Sequence, residues 1–151
     1  MTVGRALFQI LQNPVVVTGF TAWFLAQSLK VILGFIEEKR FNFRWFVGSG
    51  GMPSSHAALV MSVAVAVGLS EGFGSPIFAL ALTFALVTMF DAQGVRRQSG
   101  HQAEALNKML DDIYSQRGIQ EAPLKELFGH TPVEVMAGAA LGIVVAVALP
   151  L

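Results

Sequence analysis

The sequence predicts an all-α fold: an integral membrane helical bundle with about four transmembrane helices plus a cytoplasmic amphipathic helix. Three observations predict it. Of the 151 residues, 54% are hydrophobic and only 13% are charged. A soluble domain carries about 25% charged and 45–50% apolar residues, so this chain has too few charges to wet a globule. The mean hydropathy is +0.60. The charges are also unevenly placed, because Glu71 is the only charged residue between Trp45 and Phe90. The same composition argues against disorder, against a nucleic-acid binder and against a secreted disulfide scaffold. There is no cysteine, so neither a disulfide nor a thiolate metal site can form. Ten basic and ten acidic residues balance, and net charge by itself names no partner. The chain reads as one membrane-embedded domain, 1–151.

A spanning helix needs roughly 17–25 mostly apolar residues. The first span is about 15–34, with Lys30 its only charge. The second is about 54–70 and the third about 76–90, joined by the tight turn Glu71-Gly72-Phe73-Gly74-Ser75. At ~1.5 Å per residue the third covers only about 22 Å, so flanking residues must also be buried. The fourth is about 132–151. A cleaved signal peptide would need a short apolar core and a soluble remainder; here the first stretch is too long and three more follow.

Four spans put 1–14, the 71–75 turn and the C-terminus on one side of the membrane. The 35–53 loop and the long 91–131 segment fall on the other. The first side holds only Arg5; the second holds Lys39, Arg40, Arg44, Arg96, Arg97, Lys108, Arg117 and Lys125. Cytoplasmic loops carry the Lys/Arg excess, which makes the second side cytoplasmic. Within the long segment, Leu106, Met109, Leu110 and Ile113 recur at helical spacing over Gln102–Gln116. Glu104 and Lys108 form an i,i+4 pair there. This stretch predicts an amphipathic helix on the membrane surface or on the ends of the spans.

The polar residues of the spans converge on that cytoplasmic face. The first span carries Gln27 and Lys30 near its end, on one helical face with Trp23 and Gly34. The second opens with Gly50-Gly51-Met52-Pro53-Ser54-Ser55-His56. The third ends at Asp91, before Gly94-Val95-Arg96-Arg97. The fourth opens with Gly129-His130-Thr131-Pro132 and then Glu134. Each piece has a purely structural account. Serine and proline start helices, Thr131 to Glu134 matches a capping box, Lys30 can snorkel, and Asp91 can pair with anchoring arginines. Gly138 and Gly142 read as close helix packing. Together, cations and histidines at one bilayer face favour an anionic ligand. Phosphate is the simplest, since arginine engages its oxygens in pairs and lysine as a point charge. A helix N-terminus at the Pro53-Ser54-Ser55 turn adds N–H donors. The amphipathic anion available at this depth is a lipid phosphate.

Gly50-Gly51-Met52-Pro53-Ser54-Ser55-His56 resembles the P-S-G-H motif of the type-2 phosphatidic acid phosphatase superfamily, which includes acid phosphatases and vanadium haloperoxidases. With Asp91-Ala92-Gln93-Gly94-Val95-Arg96-Arg97 and Gly129-His130-Thr131-Pro132-Val133-Glu134, the chain is similar to the divergent bacterial and plastid branch of that superfamily. The resemblance runs from about Lys30 to Gly142. It implies a metal-independent, cofactor-free phosphatase acting through a phosphohistidine, at the cytoplasmic face of a bacterial inner (plasma) membrane. His130 is the implied nucleophile, Glu134 its orienting acid and His56 the general acid. Lys30, Ser54, Ser55, Asp91, Arg96 and Arg97 form the implied phosphate-binding set, and Arg40 stands for the first-motif arginine. The chain departs from the family pattern in three places. Glu37 stands where K-x6-R-P has its arginine. The third-motif arginines are separated from His130 by the cytoplasmic segment. Four helices stand for the usual six, which leaves completion of the site to that segment or to a second copy of the chain. A rival alignment replaces His130 by His101, through Arg96-x4-His101-x2-Glu104. The expected function is a lipid phosphatase for a phosphomonoester or diphosphate lipid, with phosphate or vanadate as site ligands. The alternatives are a polyprenyl diphosphate phosphatase, and a phospholipid-binding or transport protein that keeps the anion site without turnover.

Overall fold

In the computed structural model of the chain, residues 2–39, 51–115 and 129–149 are described. Six helices are found among them: α1 (Val3–Gln12), α2 (Pro14–Glu38), α3 (Ser55–Glu71), α4 (Pro76–Gln93), α5 (Val95–Ser115) and α6 (Pro132–Ala148). The four apolar ones start where a side chain can take up orphan N–H groups. The Asn13 side chain accepts from the N–H groups of Val15 and Val16 at 3.0 and 3.2 Å. Ser54 does the same for Ala57, Ser75 for Phe78, and Thr131 for Glu134. Proline at the first position of α2, α4 and α6 presets the helical φ and lacks the N–H that would be unsatisfied there.

Four features differ from the expected ones. α2 runs to Glu38, four residues beyond the expected end at 34. α4 continues through Asp91 to Gln93, for 18 residues, which removes the shortfall in length. The amphipathic helix α5 begins at Val95, not near Gln102, because helical hydrogen bonding carries across Gly94. The Gly94 N–H donates to the Phe90 carbonyl, and the Gln98 N–H to the Gly94 carbonyl. The segment 1–14, expected only to occupy one side of the membrane, contains α1.

The molecule is a helical membrane protein. α2 and α4 are long and apolar enough to cross a bilayer, whereas α3 and α6 are apolar but 17 residues each. α3 is the axis of the bundle and packs against α2, α4 and α6. Its Ala57, Ala58, Ala64 and Ala66 are buried, and so are Ser55 and Ser62. Small residues let the neighbouring backbones come close, which is how helices associate in lipid, where tails are as apolar as leucine. At Gly138 and Gly142 of α6, an added Cβ would overlap the carbonyl oxygens of Ser54 and Ala58 respectively. The pair is therefore the close-packing device that its spacing suggests. The large side chains point outward instead. Phe20, Phe24, Leu80, Phe84, Val144 and Val147 are all exposed. An apolar surface of this extent suits hydrocarbon and not water. At the α3–α4 turn, Phe73 and Phe78 meet edge to face, with centroids 5.1 Å apart.

Candidate functional site

One end of the bundle gathers the polar residues. Two backbone bonds fix the assembly. The Ser54 N–H donates to the Glu134 carbonyl at 3.0 Å, tying the start of α3 to the first turn of α6. The His130 N–H donates to the Ala92 carbonyl at 3.0 Å, tying the entry of α6 to the last turn of α4. Lys30 completes the ring from α2. Its aliphatic stem lies 3.5 Å from the point where a Gly51 side chain would begin, and it is buried. Gly51 has φ +84°, a left-handed conformation open to glycine. The α2 end, the α3 start, the α4 end and the α6 start thus share one face.

At the centre are two imidazoles. The ring centroids of His56 and His130 are 6.4 Å apart, at an interplanar angle of 59°. His130 is almost fully buried, at 3% exposure. Its Nδ1 lies 2.8 Å from Glu134 Oε2. Glu134 Oε2 also accepts the Thr131 N–H at 3.3 Å, while the Thr131 hydroxyl accepts the Glu134 N–H at 3.3 Å. The capping box is therefore real, and the same carboxylate holds the imidazole. With Nδ1 directed at a carboxylate, the neutral ring carries its lone pair on Nε2. Among the described residues, His130 Nε2 is buried with no hydrogen-bond partner. Such an atom needs an explanation, and a reacting or bound group is one. Glu134 also lies within electrostatic reach of Lys30.

The remaining candidates divide. Ser54 and Ser55 are buried at the start of α3. The Ser54 N–H is spent on Glu134, and its hydroxyl caps Ala57 at 3.4 Å, so Ser54 holds the frame. Asp91 lies on the last helical turn of α4, part-buried. Arg96 and Arg97 fall in the first turn of α5, immediately beyond it. Arg40 lies outside the described residues. His101 stands on an exposed part of α5, with Nδ1 3.8 Å from Glu104 Oε2 and its side chain 63% exposed. Glu104 in turn accepts from Lys108 at 2.8 Å, which holds its carboxyl below the ordinary range. Of the two aligned histidines, His130 is the one beside His56. Gly51 and the Ala92 carbonyl also shape the site, and the sequence gives no chemical sign of either; a glycine one residue before the Met52-Pro53 step is the nearest to one. No group of three or more His, Cys, Asp or Glu residues that could hold a metal occurs among the described residues.

A separate apolar groove lies between α2, α3 and α4. Its volume is about 280 Å³, and Gly19 and Phe20 of α2, Leu59, Val60 and Val63 of α3 and Phe84 of α4 line it. Leu59, Val60 and Val63 follow His56 at i+3, i+4 and i+7, on the same face of α3. The α2 wall, Val16 to Phe20, lies 10–14 residues before Lys30, about 15–21 Å along the helix, so the groove sits in the apolar part of the bundle and not at the polar face.

Comparison with known proteins places these features in a family. A family profile described as "Divergent PAP2 family" matches residues 11–145. The uncharacterized membrane protein YuiD of Bacillus subtilis (strain 168) is 37% identical over 154 residues, covering 93% of this chain and 96% of its own. No solved structure matches.

Proposed function

The chain belongs to the divergent PAP2 family, and from that premise we propose that it is a membrane phosphatase removing phosphate from a lipid phosphomonoester or diphosphate. The observation that carries the proposal is the state of His130. A buried ring with Nδ1 on a carboxylate and Nε2 uncommitted among the described residues, 6.4 Å from a second imidazole, suits a nucleophile facing its acid.

In this reading His130 Nε2 attacks phosphorus, and a P–N bond forms as the P–O bond to the lipid breaks. His56, in its protonated form, gives its proton to the departing alkoxide or phosphate oxygen. Water then attacks the phosphohistidine, the P–N bond breaks, and the water's proton passes to His56. Glu134 keeps the proton on Nδ1 and stabilises the positive ring. Lys30, Ser55, Arg96 and Arg97 take the phosphoryl oxygens, with Arg40 as a further phosphate contact, and Asp91 orders the arginines. Phosphoryl transfer needs positioning and charge stabilisation above all, and these side chains supply both. Lys30 is buried within α2, a helix long and apolar enough to cross a bilayer, so the site lies at the depth of lipid headgroups, which favours an amphipathic phosphate over a soluble one. In this reading the Lys/Arg excess, which cytoplasmic loops carry, favours the cytoplasmic side for this face.

The test is phosphate release from phosphatidate and from a polyprenyl diphosphate by purified protein in detergent. We expect release, inhibition by vanadate, and loss of activity by at least about 10²-fold in His130→Ala. Full activity in that variant rejects the nucleophile. Lipid-phosphate binding without release from either substrate would instead favour a binding or transport protein, the reading that the separation of Arg96 and Arg97 from His130 in sequence supports.

A further inference from the structure

At the other end of α2 stands a helix that the phosphatase reading does not use. α1 buries none of its residues in the protein. Val3, Leu7, Ile10 and Leu11 lie at i, i+4, i+7 and i+8, on one face, and each is more than half exposed. Arg5, Gln9 and Gln12 occupy the opposite face. Among the described helices α1 packs only against α2. A single residue joins the two. The Asn13 N–H donates to the Ile10 carbonyl at 3.2 Å and closes α1, while its side-chain oxygen caps the first turn of α2.

We infer that α1 is an in-plane membrane anchor, its apolar face sunk into the boundary between headgroups and acyl chains. The occupant of that face follows from continuity. α2 is one of the two helices long and apolar enough to cross the bilayer, and Pro14 opens it directly after Asn13. The start of α2 is thus at a bilayer surface, and α1 with it. Pro14 is 16 residues from Lys30, about 24 Å along a helix, so this surface belongs to the leaflet opposite the phosphate site. An amphipathic helix held in that plane buries its apolar face in lipid. Its charge identifies the lipid chemistry further. Arg5 is the only charged side chain in Val3–Gln12, so the anchor depends on apolar burial and not on anionic headgroups.

The chain contains no cysteine, which makes a labelling test clean. Single-cysteine variants Leu7→Cys, Gln9→Cys, Leu11→Cys and Gln12→Cys of the full chain would be spin-labelled and reconstituted. One set of vesicles is phosphatidylcholine alone, and a second adds phosphatidylglycerol. We expect labels at 7 and 11 to be relaxed by oxygen and shielded from a water-soluble nickel chelate. Labels at 9 and 12 should show the reverse, equally in both vesicles. Nickel access at all four positions would overturn the inference, since α1 would then lie in water. Shielding of 7 and 11 from both reagents would also overturn it, by showing protein over that face. Lipid depth seen only with phosphatidylglycerol would overturn the apolar mode of binding. None of these outcomes depends on whether the protein releases phosphate.

Discussion

Glu134 does two jobs with one carboxylate oxygen, and the two can be separated by substitution. It closes the capping box of α6 through Thr131, and it orients His130. Glutamine also serves at the third position of a capping box, so Glu134→Gln should keep the melting temperature close to that of the parent. It removes the negative charge that stabilises a positive imidazole, however, and phosphate release should fall by about 10²–10⁴-fold. Glu134→Ala should lose the rate and, in addition, about 1 kcal/mol of stability. Equal rates for Glu134→Gln and the parent would mean that the carboxylate only caps the helix. This pairing was legible in the sequence because it is local: Thr131, His130 and Glu134 lie within one helical turn, where spacing dictates contact. The meeting of Lys30 with Gly51 was not, because it depends on how two distant segments stack, and a glycine announces no partner.

At the level of helices, the α3–α6 contact sets the spacing of the helix starts that carry His56 and His130. Gly138 sits against the Ser54 carbonyl, whose own N–H reaches back to Glu134. A side chain at Gly138 meets backbone, which cannot rotate away, so α6 must move off α3. Gly138→Val should therefore cost about 1–3 kcal/mol, read as a lower melting temperature in detergent. It should also lower phosphate release, since separating the helix starts separates His56 from His130. Val144→Phe on the exposed side of α6 is the control and should alter neither. A Gly138→Val protein with normal stability and rate would show that the helices do not meet as described. The helix starts were readable from Asn13-Pro14, Ser54, Ser75-Pro76 and Thr131-Pro132, since capping and proline are local chemistry. α1 is too short to register as a span, although the 3.6-residue periodicity of Val3–Gln12 is plain. The early start of α5 was hidden by Gly94 and by the polar run from Arg96 to Gly100, which suggest a break where the backbone stays helical.

For the whole molecule, orientation turns on how charge is divided between the two faces. Of ten basic residues, Arg5 lies on one side and Lys30 inside α2, and the other eight fall in 35–53 and 91–131. In the proposed four-span topology the site shares the side of those eight. A bilayer inserted by the positive-inside rule then puts both the phosphate site and the exposed part of α5 in the cytoplasm, with α1 and the α3–α4 turn outside. The rule weighs lysine and arginine in short loops and near span ends, and Arg96 and Arg97 sit immediately beyond α4, where their weight is greatest. The acidic residues contribute little to orientation, so the zero net charge does not blunt the asymmetry. Two single-cysteine variants decide it in intact cells. Gly74→Cys in the α3–α4 turn should react with a membrane-impermeant maleimide added outside, since the position is exposed and a new side chain meets no neighbour there. Gln102→Cys on the exposed part of α5 should react only after the cells are permeabilised. The reverse pattern would place the histidines on the outer face and make any lipid phosphate they act on one of the outer leaflet. Reaction of both from outside would mean that α4 does not cross, and the bundle would then need a different count of spans.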